Sequence, residues 1–159
     1  MGALTLAQFA AAVVISYLGL LAGFFLASIT KEELPTAKKY FPWLERLVVL
    51  AVAAFVMNFF SVQIVAKAAA YGALLLFIVF SGNTKILYAA FGAAIFAVSG
   101  DSNMLLVTAA LVFLFGLLSG SDSFNVKLRK KDMAKAAAKV FARNLPYPAV
   151  AIILFLAFS

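Results

Sequence analysis

The amino-terminal part of this chain carries no charged side chain, and Leu4–Ile29 is one continuous apolar stretch. At a rise of about 1.5 Å per residue, a helix of this length crosses a hydrocarbon core of about 30 Å. A secretory signal peptide has a shorter apolar stretch preceded by basic residues, and this stretch has neither property. We therefore predict a retained transmembrane helix over residues 4–29.

The composition extends this interpretation to the whole chain. Hydrophobic residues make up 66% of the 159 residues and charged residues only 12%, and the mean hydropathy is +1.10. A soluble domain is about half apolar and about a quarter charged. Because this chain has too few charges to cover a globule in water, we predict an all-α, polytopic integral membrane helix bundle in a single membrane domain, residues 1–159.

Later apolar stretches predict the remaining crossings. Residues 47–81 would form a helix far longer than one crossing needs, so we divide this stretch near Lys67. Ser-Gly pairs at 81–82, 99–100 and 119–120 are typical of turns after helices, since glycine readily adopts the left-handed conformation there. The prediction is about six segments, several of them short: 4–29, 47–63, 65–81, 84–98, 103–118 and 147–158.

Cationic residues follow one another at a spacing of four along the second polar stretch. This spacing predicts a basic amphipathic helix over residues 124–144 that lies on the membrane surface and contacts anionic lipid headgroups. A protein docking site is the alternative. Nucleic acid is not expected as a partner, because no aromatic stacking platform accompanies the charge. The candidate headgroup residues are Lys127, Lys131, Lys135, Lys139 and Arg143.

The distribution of lysine and arginine predicts an orientation. If loops 31–46 and 121–145 are cytoplasmic, all thirteen lysine and arginine residues except Lys67 fall on the cytoplasmic side. Basic residues concentrate on that side of membrane proteins. We therefore predict cytoplasmic basic loops and both termini on the outer side.

With this orientation, polar residues of the membrane segments collect toward the outer leaflet. Polar groups in a bilayer cost free energy unless they are paired or wetted, so such residues are candidates for function. We predict an outward-facing polar vestibule that binds a small solute or ion. The alternative is that these side chains only hold helices together by hydrogen bonds. The candidate ligand-binding residues are Asn58, Gln63, Lys67, Tyr71, Asp101 and Thr108.

The residue inventory excludes several kinds of chemistry. The chain has no cysteine, no histidine and only six acidic residues. Thiol catalysis, imidazole ligation and carboxylate-rich metal cages are therefore not expected. We predict no metal, no cofactor and a function that is not enzymatic.

Three functions agree with these observations. The first is permeation or transport, by this chain or by a transporter of which it is a membrane subunit. The second is a structural or assembly subunit of a membrane complex. The third is a lipid-headgroup-binding or lipid-processing protein that uses Glu32, Glu33 and the neighbouring lysines. Since so short a chain encloses little space, we expect a homo-oligomer or a larger membrane complex. Small-residue stripes such as Gly19, Gly23 and Ala27 indicate close helix packing.

Overall fold

The structure is a computed structural model, and it describes residues 5–60, 72, 84–125 and 132–158. The regular elements of these residues are all helices, and the predicted fold class, an all-α membrane helix bundle, is confirmed. The helices are α1 (Leu6–Ile29), α2 (Leu34–Lys38), α3 (Phe41–Phe59), α4 (Thr84–Ala97), α5 (Ser102–Ser123), α6 (Met133–Arg143) and α7 (Pro146–Phe158).

Three of these helices are long and apolar enough to cross a membrane. They are α1, α3 and α5, and a fourth span results if α6 and α7, which meet at a bend of 40°, are counted as one. Within the described residues α4 is a shorter apolar helix. Apart from Gly72, the predicted segment 65–81 and the turn near Lys67 lie outside the described residues, so the count of six segments stays a prediction.

Helices α1 and α5 run parallel, with their backbones in direct contact. A Cβ atom added at Gly19 would collide with the carbonyl of Phe113, and one added at Gly23 would collide with the carbonyl of Leu117. From the other side, a Cβ atom on Gly116 would lie 2.9 Å from a backbone nitrogen of α1. Side chains at these positions would force the helices apart. The glycines therefore make this close contact possible.

Helix α7 runs antiparallel to α1 and parallel to α4. The ring centroids of Phe9 and Phe155 are 4.3 Å apart, whereas Tyr17 pairs with Tyr147 at the other end of α7, at 6.0 Å. Close packing recurs against α4, where a Cβ atom on Gly92 would lie 2.5 Å from the Tyr147 carbonyl oxygen.

The amino-terminal part of α3 lies beside the carboxyl end of α5. The Glu45 carboxylate is near Asp122, and the Lys38 ammonium donates to the carbonyl oxygens of Asp122 and Phe124 at 2.5 and 2.8 Å. Helix α3 is therefore antiparallel to α5. We call the end of the bundle with the carboxyl ends of α1 and α5 the basic end, and the end with their amino termini the groove end.

Two element boundaries differ from the predicted ones for a physical reason. Helix α3 begins at Phe41 rather than at residue 47, because Pro42 fits the first turn of a helix. Helix α5 continues through Gly120 to Ser123, where a turn was predicted. Gly120 packs against the backbone of Leu20 instead of ending the helix. With this extension α5 is about 33 Å long, enough to cross the hydrocarbon core.

The basic end has a small apolar core of its own. Phe24, Ala27, Leu34 and Phe124 are buried together, and Met133, Ala136, Ala137 and Val140 of α6 pack against them. Phe124 is extended rather than helical, and the described helix begins only at Met133. Phe124 and Asn125 therefore do not belong to the helix predicted over about 124–144, because Phe124 leaves α5 to fill this core.

Candidate functional site

An apolar groove lies between α1 and α5. Its volume is about 670 Å³, which lies within the range of small-molecule sites. Eight of its lining residues are alanine, leucine, isoleucine or phenylalanine, and two are polar. The lining residues are Gln8, Ala11, Ala12, Ile15, Ser102, Leu105, Leu106, Ala109, Ala110 and Phe113.

The groove has an open end and a closed end. On α5 it extends from Ser102 to Phe113, about 16 Å along the helix axis. It ends where Gly19 meets the Phe113 carbonyl, the first point of close contact between the two backbones. A length of about 16 Å is about half of a hydrocarbon core of 30 Å. The length of the groove is therefore comparable to the thickness of one leaflet.

The polar lining residues lie at the mouth of the groove, in the first turns of the two helices. Thr5 and Gln8 cap α1 reciprocally: the Gln8 amide donates to the Thr5 hydroxyl, and the Thr5 amide donates to the Gln8 side chain. Asp101 caps α5 by accepting from the amides of Asn103 and Met104, at 2.8 and 3.1 Å. These caps satisfy amides that have no partner within the helix. The mouth is thus polar and locally rigid, whereas the walls are apolar.

The described members of the predicted vestibule occupy separate positions. Asp101 is the cap of α5, Asn58 is exposed near the end of α3, and Thr108 is buried on α5. Gln63, Lys67 and Tyr71 lie outside the described residues. The structure therefore does not bring the described three together around one cavity, and the vestibule stays a prediction.

Thr108 is the vestibule candidate with an unusual environment. Its side chain is completely buried, and its hydroxyl oxygen has no hydrogen-bond partner. A buried polar group without a partner costs about 1–3 kcal/mol. Val112 and Phe115, one and two turns further along α5, are also completely buried. The side chain of Thr108 is therefore separated from the basic end by close apolar packing.

A buried polar cluster lies toward the basic end, where α1, α4, α5 and α7 meet. Ser16 donates to backbone carbonyls of its own helix, so the hydroxyl of Tyr147, 2.5 Å away, donates to Ser16. Tyr17 donates to the Phe141 carbonyl across to α6. These bonds join three helices and leave no donor of the two tyrosines unpaired. The arrangement is that of hydrogen bonds that hold helices together.

Tyr88 is the exception in this cluster. Its ring is stacked edge-on against Phe115, with centroids 5.2 Å apart, and its side chain is almost completely buried. Its hydroxyl lies beside Ser119 and within electrostatic range of Glu45 and Arg143, but it forms no hydrogen bond of normal geometry.

Glu45 is a residue whose helical, partly buried position the sequence analysis did not predict. It falls within the predicted cytoplasmic loop 31–46, but the structure places it in the second turn of α3, partly buried and close to Asp122. The signal was present in Pro42, which is favoured in the first turn of a helix. An ionisable side chain inside a membrane helix is a candidate for function.

The described cationic candidates are exposed on α6. They are Lys135, Lys139 and Arg143, and Arg143 also donates to the Ser123 hydroxyl at 3.3 Å. Lys127 and Lys131 lie outside the described residues. Glu32 and Glu33 are exposed between α1 and α2 and do not face a described cavity. In the described part of the chain, no three acidic residues are grouped so that they could hold a metal ion.

Comparisons with known proteins do not add a function to this geometry. No protein family matches the chain, and neither a curated protein nor a solved structure is similar enough to count as a match.

Proposed function

We propose that this chain is a lipid-binding membrane protein, in which the groove between α1 and α5 holds one hydrocarbon chain of a bilayer lipid. The observation that carries the proposal is the groove itself, which has apolar walls, a polar mouth and a length comparable to the thickness of one leaflet. Lipids have the same order of groups, with a polar head at the interface and apolar chains below it. The function concerned is binding, since no catalytic group lines the groove.

The closed end of the groove favours a lipid chain over a helix of another protein. A partner helix that crosses the bilayer needs a continuous surface of about 30 Å. The groove ends halfway, at the contact of Gly19 with Phe113. A hydrocarbon chain of one leaflet ends at the same depth.

The test is photolabelling with a phospholipid that carries a diazirine in its acyl chain. We expect the label on peptides that contain residues 8–15 and 102–113. Ala11→Phe places a ring in the groove and should reduce this labelling severalfold. Ala22→Phe is the matched control, because Ala22 is also an exposed alanine of α1 but lies outside the groove. Equal labelling of the two variants would refute the proposal.

Permeation through an outward-facing vestibule is the second candidate function. The observation in its favour is the buried hydroxyl of Thr108, which has no hydrogen-bond partner and would gain one from a bound solute or water. A flux assay in proteoliposomes tests this function with Thr108→Val and Asn58→Ala. Loss of flux with an unchanged unfolding temperature would support permeation. Absence of flux in the unmodified protein would count against it.

A further inference from the structure

The orientation of α6 about its own axis is determined by its packing. Met133, Ala136, Ala137 and Val140 contact the buried core at the basic end. At the other end of the helix, the Phe141 carbonyl accepts from Tyr17. These contacts leave only one side of α6 free.

The free side of α6 is cationic and otherwise made of small residues. Lys135, Lys139 and Arg143 are exposed there, and the exposed residues between them are Ala134, Ala138 and Ala142. The helix contains no acidic residue, and the nearest in sequence is Asp132, directly before it. We call this side the cationic face of α6. Alanines between the cations leave room for a flat, negatively charged surface to approach closely.

The position of α6 in the chain places the cationic face at the end of a membrane helix. Helix α6 meets the apolar helix α7 at a bend of 40°, and it also contacts the apolar core at the basic end. Residues at the ends of transmembrane helices lie at the level of the lipid headgroups. Long lysine and arginine side chains reach that layer even from an inclined helix.

We propose that the cationic face of α6 binds the anionic headgroups of the surrounding bilayer. Charge complementarity carries this inference, because three cations lie along one side of α6 without an acidic residue between them. Basic residues near an anionic membrane surface each strengthen binding about fivefold. This lipid site lies at the basic end and does not depend on the groove at the other end.

The test compares two variants that lose the same charge at the same end of the molecule. Lys135→Gln with Lys139→Gln removes two cations from the cationic face. Lys39→Gln with Arg46→Gln removes two exposed cations beside α2 and α3, where they contact the rings of Tyr40 and Trp43. Each protein is placed in nanodiscs of phosphatidylcholine with a rising fraction of phosphatidylglycerol. Native mass spectrometry then measures how many phosphatidylglycerol molecules remain bound.

We expect the α6 variant to retain phosphatidylglycerol several times less well than the unmodified protein, and high salt to produce the same loss. The control variant should retain it nearly unchanged. Equal losses in both variants would show that only total charge matters and would overturn the proposal. Unchanged retention in the α6 variant would also overturn it and would make an acidic partner protein the better occupant of the cationic face.

Discussion

At the scale of single residues, the glycines of α1 and α5 determine how closely these helices approach. Gly19 and Gly23 on one helix, and Gly116 and Gly120 on the other, each face backbone atoms of the partner. In a bilayer, lipid chains are as apolar as the side chains, so close packing rather than the hydrophobic effect holds helices together. A methyl group at these positions removes the contact that stabilises the pair.

We predict that Gly23→Ala lowers the stability of the bundle by about 1–3 kcal/mol, the usual cost of overpacking. The added Cβ atom would collide with the Leu117 backbone, which has little room to move. Thermal unfolding in detergent measures the loss. Gly100→Ala is the control, because a Cβ atom at Gly100 meets no atom within 4 Å. An equal change in both variants would contradict this account of the α1–α5 contact.

Two buried tyrosines of the polar cluster should respond in opposite ways to loss of the hydroxyl. Tyr147→Phe removes a hydrogen bond to Ser16 and should cost about 0.5–1.5 kcal/mol. Tyr88→Phe removes a buried hydroxyl that forms no hydrogen bond of normal geometry and should leave stability unchanged or raise it. The free energy of unfolding in denaturant measures both. A destabilised Tyr88→Phe variant would mean that its hydroxyl has a bound partner, such as an ordered water.

At the scale of elements, the basic end is assembled from short pieces around Phe124. Helix α2, the end of α1 and helix α6 contribute to its apolar core. Lys38 of α2 donates to the carbonyls at the end of α5, where a cation is favourable for the helix dipole. This core holds α6 with its cations outward.

We predict that Phe124→Ala detaches α6 from the bundle, because a completely buried phenylalanine contributes about 3–5 kcal/mol of packing. Limited proteolysis should show faster cleavage between residues 125 and 143 while α1 and α5 stay protected. Phe25→Ala is the matched control, since Phe25 lies on α1 beside this core but is 58% exposed. Uniform cleavage along the chain would indicate global unfolding instead.

At the scale of the whole molecule, the helix directions agree with the alternation that the charge pattern requires. Because α1 and α5 are parallel, an odd number of crossings must separate them, and three predicted segments, 47–63, 65–81 and 84–98, lie between them. Ser102 and Ser123 stand at opposite ends of α5. The chain has no cysteine. Ser102→Cys and Ser123→Cys should therefore react with a membrane-impermeant maleimide from opposite sides of the membrane. Labelling of both from one side would refute the predicted orientation.

Helix α3 is the least covered of the three long helices. Only 17% of its most apolar window is buried, against 44% for α1 and α5. We predict that a second copy of the chain packs on this helix. Ala51→Cys, exposed on α3, should form a disulfide-linked dimer under mild oxidation, whereas the control Ala149→Cys on α7 should not. Absence of dimers for several exposed α3 positions would contradict this prediction.

The helical architecture and the membrane environment of the chain could both be predicted from the local sequence. Long stretches without charge must form helices in a bilayer, because no water is present to satisfy exposed backbone groups. Asp101 caps α5, and aspartate is a residue that is favoured at this position directly before a helix. Gly120 could not be assigned from the local sequence. Glycine is favoured both at the end of a helix and at a close contact between helices, and only the packing against α1 shows that Gly120 forms such a contact.

The groove and the position of Glu45 required the tertiary structure. Alanines at 11, 12, 109 and 110 face one another only because α1 and α5 run parallel and diverge beyond Gly19. Glu45 acquires a partly buried position only because α3 starts early and lies beside the end of α5. Lipid chains solvate every apolar face of a helix equally well. The pattern of apolar residues therefore predicts that a helix crosses the membrane, but it does not predict which neighbouring helix it contacts. The sequence alone therefore determined the membrane environment and the all-helical fold class. Close packing between helix backbones decided which helices pair and where a cavity remains.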